Sequence, residues 1–199
     1  MFESHFQTFE EPESGVALTA RLSTFRDELA RLKLTGFVIP RADQQQNEYV
    51  APSEERLAWL TGFTGSAGLA IVLAQEAALF VDGRYTLQAA QQAPAALYEI
   101  HHLMTEPYGL WLKTVLPKGS RVGYDPWLHA AAAIQTLKSD LASAGIETVA
   151  LAANPIDAVW PDRPAPPLAP AVPHGLDYAG VASHRIARRR LASGGPPKP

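Results

Sequence analysis

Apolar positions along the first third of the chain recur first at helical and then at strand spacing. Leu18, Leu22, Phe25, Leu29 and Leu32 are separated by four, three, four and three positions, which predicts a helix with a single buried stripe. Arg21, Arg26, Asp27, Glu28 and Arg31 fall on its wet side, and Gly36 is the expected stop. Phe37-Val38-Ile39-Pro40 reads as a short buried strand, and the polar run Arg41 to Pro52 as a loop. Ser53, followed by Glu54 and Glu55, is the expected N-cap of a short helix that carries Trp59 and Leu60 and ends at Gly62. Leu69–Leu73 and Ala77–Val81, parted by Gln75-Glu76, predict an antiparallel hairpin.

The alternation continues beyond the hairpin. Tyr85–Gln92 is helical in composition and closed by Pro94, and Tyr98–Leu103 is a strand. Pro107–Leu116 is a helix with Leu110, Trp111 and Val115 expected inward, and Arg121–Asp125 is a strand. The alanine-rich stretch Leu128–Ala144 is a helix with Ile134, Leu137 and Leu141 on its core side and Gly145 as its cap. Ile146–Leu151 completes the series. Helices interleaved with short strands and one hairpin indicate an α/β fold with a mixed sheet.

The organisation expected from these patterns is an N-terminal arm over 1–15, one domain over 16–160, a linker over 161–173 and a tail over 174–199. The linker holds six prolines among thirteen residues, too many for a helix or an interior strand. The tail has few apolar residues, a basic run Arg188-Arg189-Arg190 that reads as solvated, and a Gly-Gly-Pro-Pro-Lys-Pro end. It reads as the truncated or disordered start of a second domain. No internal repeat is present.

Composition narrows the chemistry. The net charge of −3 gives no support to a nucleic-acid or membrane partner. The absence of cysteine removes disulfides, thiolate catalysis and cysteine-bound metal. The first fifteen residues carry Glu3, Glu10, Glu11 and Glu13 without an apolar core, unlike a signal peptide. No apolar run approaches the length of a membrane span, and a cytoplasmic protein is expected.

Candidate catalytic groups are sparse. His5, His101, His102, His129, His174 and His184 form no His-Glu-x-x-His pair. His101 and His102 are adjacent on a strand and point to opposite faces. Gly65-Ser66-Ala67-Gly68 is not a nucleophile elbow. Gly62, Gly65 and Gly68 are not spaced as a dinucleotide-binding loop and precede a strand, so they read as tight packing turns. Neither a catalytic nor a metal-binding residue is assigned. Arg84, in Asp82-Gly83-Arg84-Tyr85 at a strand end, suits a carboxylate or peptide carbonyl. An internal salt bridge to Asp82 or Asp125 fits its position equally well.

Several motifs in order resemble the N-terminal region of Xaa-Pro aminopeptidases (aminopeptidase P). They are Val38-Ile39-Pro40, Asn47-Glu48-Tyr49-Val50-Ala51-Pro52 and Leu60-Thr61-Gly62-Phe63-Thr64-Gly65-Ser66-Ala67-Gly68, then Asp82-Gly83-Arg84-Tyr85 with Leu87-Gln88-Ala89-Ala90. Gly119-Ser120-Arg121-Val122-Gly123 with Asp125-Pro126, and Asn154-Pro155-Ile156-Asp157 with Trp160 and Asp162-Arg163-Pro164, extend the likeness over about Phe37 to Pro167. The resemblance is to the long, three-domain form. It implies a creatinase/prolidase-type N-terminal domain, a mixed sheet flanked by helices on both faces, cut before the catalytic domain. It also implies two divalent metals, usually manganese, held only by that absent domain, and no cofactor in this chain. The implied substrates are peptides with proline second, the implied assembly is a homodimer, and Arg84 is the implied substrate contact. The chain by itself is expected to be inactive. A stand-alone, non-catalytic peptide- or protein-binding module of the pseudo-peptidase type is the alternative, and creatinase- or prolidase-type specificity fits the motifs less well.

Overall fold

The computed structural model describes residues 14–170 and 172. The expected arm over 1–15 lies outside them except for its last two residues, and the expected tail over 174–199, with Arg188–Arg190, lies wholly outside.

Among the described residues six strands form one mixed sheet: β1 (Gly36–Pro40), β2 (Gly68–Leu73), β3 (Ala77–Val81), β4 (Glu99–His102), β5 (Arg121–Tyr124) and β6 (Glu147–Ala150). Their order across the sheet is β4-β3-β2-β1-β5-β6. β2 runs antiparallel to both neighbours, while the β1–β5, β5–β6 and β3–β4 pairs are parallel. The helices are α1 (Gly15–Arg31), α2 (Arg56–Thr61), α3 (Thr86–Gln92), α4 (Tyr108–Val115), α5 (Ala131–Ser143) and α6 (Pro155–Val159).

The pleat sends alternate residues of the central strands into two separate cores. Phe37, Ile39, Ala70, Val72, Ala77, Leu79 and Val81 face one side, where they meet Phe25 of α1, Leu57 and Leu60 of α2, Ala89 of α3 and Ile156 of α6. Val38, Leu69, Ile71, Leu73, Ala78 and Phe80 face the other, against Leu112 of α4 and Ile134, Leu137 and Leu141 of α5. The register matches this division, since Phe37 pairs with Val72, Ile39 with Ala70 and Ala70 with Leu79. Helices therefore cover both faces, as the resemblance implies.

Element ends differ from expectation in several places. Ser14 caps α1, its hydroxyl accepting from Ala17 N–H at 3.3 Å, and the helix begins before Leu18. It closes not at Gly36 but at Lys33, which takes the left-handed conformation (φ 57°). Leu34 N–H then bonds the Leu29 carbonyl and Lys33 N–H the Ala30 carbonyl, the paired bonds that satisfy a helix C-terminus. Gly36 is instead the first residue of β1. Ser53 is not an N-cap: it sits inside a 3-10 turn, Pro52–Glu54, with its side chain buried, and α2 starts after Glu55 without a side-chain cap. Proline at the first turn position sets φ for that turn and shifts the helix start downstream.

On α4 Leu112 is buried, Tyr108, Trp111 and Val115 pack partly buried against the same core, and Leu110 is 56% exposed. Leu110 and Leu112 lie two residues apart on opposite sides of the helix, so only one can face the sheet. α5 starts at Ala131, not at Leu128, because Asp125 caps a separate 3-10 turn, Pro126–Leu128, through Trp127 N–H. α6 was not expected, although Asn154 caps it through Ile156 N–H and Pro155 fills its first position.

The chain divides after Pro166. At the end of the first unit, ions and rings fasten the last helix. Arg56, buried, pairs with Glu54 and holds Asp157 through Nε at 2.7 Å and Nη2 at 3.0 Å. Arg163 bonds the Ser53 carbonyl at 2.7 Å, Glu54 at 3.0 Å and Asp157 at 2.8 Å. Trp160 stacks on Trp59 at 5.3 Å. In the second unit, residues 167–170 and 172 carry no helix or strand.

Burial of His129 beside the Tyr124 ring lowers its pKa from 6.5 to about 4, and the charge of Asp125 opposes the shift only in part. The folded state therefore keeps this imidazole neutral while the unfolded chain protonates first on acidification. Its contribution to stability is complete above pH 6.5 and falls between pH 6.5 and about 4, by at most about 3 kcal/mol. Chemical denaturation across that range on the wild type and on H129Q is expected to show a shallower pH slope in the variant. Equal slopes would refute the assignment.

Candidate functional site

Because β1, β3, β4, β5 and β6 all run the same way and β2 the other, one edge of the sheet collects five strand carboxyl ends. The connections at that edge include the loop after β1, the turn before β2 and the turn after β3. In α/β sheets this is the edge at which side chains from several loops can converge.

The turn after β3 is built on Asp82. Its Oδ1 accepts the backbone N–H of Arg84 at 3.0 Å and the Arg84 Nε–H at 2.8 Å. Gly83–Tyr85 thereby closes into a 3-10 turn that leads directly into α3. The Arg84 side chain remains 69% exposed, with its guanidinium 5.3 Å from the centroid of the Tyr85 ring. Hydrogen bonding to Arg84 holds the Asp82 carboxyl below its ordinary pKa, and the same bond raises that of Arg84. Asp125 bonds Trp127 and Asn154 instead. The internal salt bridge thus forms with Asp82, and it engages only one corner of the guanidinium.

The glycine loop supports this turn from beneath. Tyr85 shares a 2.6 Å hydrogen bond with Ser66, and its ring meets Phe63 edge-on at 5.9 Å. A Cβ on Gly65 would overlap the Phe63 ring and come within 2.9 Å of Tyr85. Gly62 has φ +79°, and a Cβ there would lie 2.9 Å from the Gln92 carbonyl oxygen, so only glycine lets α2 end so close to α3. Gln92 Oε1 accepts from Thr64 N–H at 3.0 Å, and Gln88 donates to Thr64 Oγ1 at 3.0 Å. These are the packing turns that the spacing predicted.

The loop after β1 is more ordered than its polar composition suggested. Asp43, buried, accepts from the backbone N–H groups of Gln45 and Asn47 at 3.0 and 2.9 Å and from the Asn47 amide at 2.8 Å. Arg41 donates to the Glu48 carbonyl at 2.6 Å. The loop presents Tyr49 almost fully exposed, and the charge of Glu48 acts on Arg84. Ser66 and Phe63 were not foreseen as the supports of Tyr85 beside Arg84. The motif's Tyr85 was the one available signal, since a phenol beside an arginine needs its own partner.

His101 and His102 separate as expected. His101 is buried, stacked on Phe80 at 4.8 Å and bonded to Glu106 at 2.6 Å, while His102 is partly exposed. His5, His174 and His184 lie outside the described residues. Among the described residues no group of three or more histidine, aspartate or glutamate side chains could hold a metal ion.

Residues 21–159 match the family described as the creatinase/prolidase N-terminal domain. Among curated proteins, the chain is 37% identical over 171 residues to Xaa-Pro aminopeptidase 2 of Sus scrofa, covering 85% of this chain and 25% of that protein. It is 37% identical over 185 residues to Aminopeptidase P2 of Arabidopsis thaliana, covering 89% and 26%. Among solved structures, it matches an X-prolyl aminopeptidase of Caenorhabditis elegans, described as a cytosolic enzyme with a di-nuclear active site. The TM-score is 0.75 at 26% identity, over 88% of this chain and 31% of that one. The N-terminal domain of peptidase PepQ from Mycobacterium tuberculosis matches with a TM-score of 0.54 at 26% identity, over 70% and 98%. The chain spans about a quarter of the length of the curated relatives it matches.

The packing under Tyr85 is testable. Gly65→Ala forces the Phe63 and Tyr85 rings apart and is expected to cost about 1–3 kcal/mol in urea unfolding. It should also shift the Tyr85 ring resonances. An unchanged spectrum and midpoint would refute the close packing.

Proposed function

The chain belongs to the creatinase/prolidase N-terminal domain family and is an N-terminal domain of the Xaa-Pro aminopeptidase-like kind, and on that premise we propose that it forms a wall of the peptide-binding cleft. The observation that carries the reading is Arg84. It is an exposed guanidinium at the carboxyl edge of the sheet, held at Nε by Asp82 and backed by Tyr85. In the family that the motifs resemble, this arginine contributes to binding peptide substrates.

A guanidinium so placed offers fork-shaped, charge-assisted hydrogen bonds to a peptide carbonyl or carboxylate. Its partners in this reading are peptides with proline at the second position, because the relatives are Xaa-Pro aminopeptidases. Hydrolysis is then the work of another part of the protein, which supplies the metal ligands. The work of this domain is to hold and orient the peptide. A cytoplasmic setting goes with the same reading, supported by the cytosolic C. elegans structure. No observation favours a stand-alone pseudo-peptidase module.

Two measurements on the 199-residue chain test the proposal. Titration with Arg-Pro-Pro, followed by NMR, should perturb residues around Arg84, and R84A should weaken binding about tenfold, the worth of a charge-assisted bond. In the presence of Mn²⁺ the chain should release no amino acid from that peptide. Binding indifferent to R84A would overturn the role of Arg84, and robust turnover would overturn the division of labour.

A further inference from the structure

How well Arg84 can meet a peptide depends on what fixes its direction. An exposed arginine normally samples many rotamers, and ordering them on binding opposes affinity. Arg84 is restrained at three points. Asp82 Oδ1 accepts from both its backbone N–H and its Nε–H, and the Tyr85 ring flanks the guanidinium. That ring is itself fixed by Phe63 and by the Ser66 hydroxyl.

Neither stability nor capping explains a carboxylate at this position. An ion pair this exposed adds little to folding. A turn cap needs only an acceptor oxygen, which serine or asparagine supplies as well; Ser14 and Asn154 do so elsewhere in this chain. What Asp82 adds is reach. From the cap position it occupies the Nε edge of the guanidinium, while among the described residues neither Nη group donates a hydrogen bond.

We propose that Asp82 is a positioning residue for Arg84, whose carboxylate presets the guanidinium so that its two Nη groups meet a peptide carbonyl or carboxylate end-on. This rests on the reading of Arg84 as a peptide contact.

The test uses the whole 199-residue chain and Arg-Pro-Pro. D82S keeps a capping oxygen but is too short to reach Nε, D82N keeps both acceptor contacts without the charge, and R84A removes the contact itself. In D82S the thermal midpoint should stay at the wild-type value while the Arg84 Nε–H resonance moves and exchanges faster with water. Peptide affinity should fall about fivefold, and D82N should recover most of it. A merely structural role would move the midpoint and leave the peptide affinity of the folded protein unchanged. If R84A weakens binding but D82S binds as the wild type does, or if the Nε–H signal is unchanged in D82S, the positioning role is wrong and the reading of Arg84 survives. If the wild type does not bind, or R84A binds equally well, both fall together.

Discussion

Everything in this domain depends on three adjacent strands that are apolar on both faces. β1, β2 and β3 carry Phe37, Val38, Ile39, Leu69, Ile71, Val72, Leu79 and Phe80, all within a tenth of full burial. A strand of this kind cannot turn either side to water, because each exposed face would return a row of large apolar side chains to solvent. Helices must therefore cover both sides. The chain meets the demand with α1, α2, α3 and α6 on one face and α4 and α5 on the other. The faces are thus committed to packing, and chemistry is left to the edge where the strand ends emerge.

At that edge the same residues serve packing and presentation. Gly65 allows Phe63 and Tyr85 to meet, Ser66 anchors the Tyr85 hydroxyl, and Tyr85 flanks the guanidinium of Arg84. The neighbouring loop is braced from within, with Asp43 taking three hydrogen bonds and Arg41 holding the Glu48 carbonyl, although Arg41 Nε is buried without a partner. A loop braced in this way keeps a defined shape without a ligand. Binding to such a surface loses little further order, which is the general benefit of preorganisation.

Much of this was legible in the residues. The hairpin was readable because two apolar runs flank a short polar break, and α5 because Ile134, Leu137 and Leu141 share one side. Element ends were less legible. Lys33 adopts a conformation usually left to glycine because two backbone bonds and the entry into β1 require it there, a demand that local propensity does not register. Leu110 and Leu112 are equally apolar, and only the position of the sheet selects Leu112. Nothing in the residues adjoining Arg56 marks it for burial. Its burial depends on Asp157, a hundred and one positions away.

By itself, then, the sequence determined the class of fold, the strands that had to be central, the turns that only glycine permits, and the motif containing Arg84. Those are local properties, set by the period of apolar residues and by which backbone angles a residue tolerates. Of the two readings of Arg84 that spacing left open, the tertiary structure shows the internal salt bridge. Asp82 takes the salt bridge at Nε, and the remainder of the guanidinium faces outward beside Tyr85. It also brought Ser66 and Phe63, from the turn before β2, against Tyr85 after β3. Such neighbours are created by strand order and register, which depend on pairings between distant segments and are not written in any one of them.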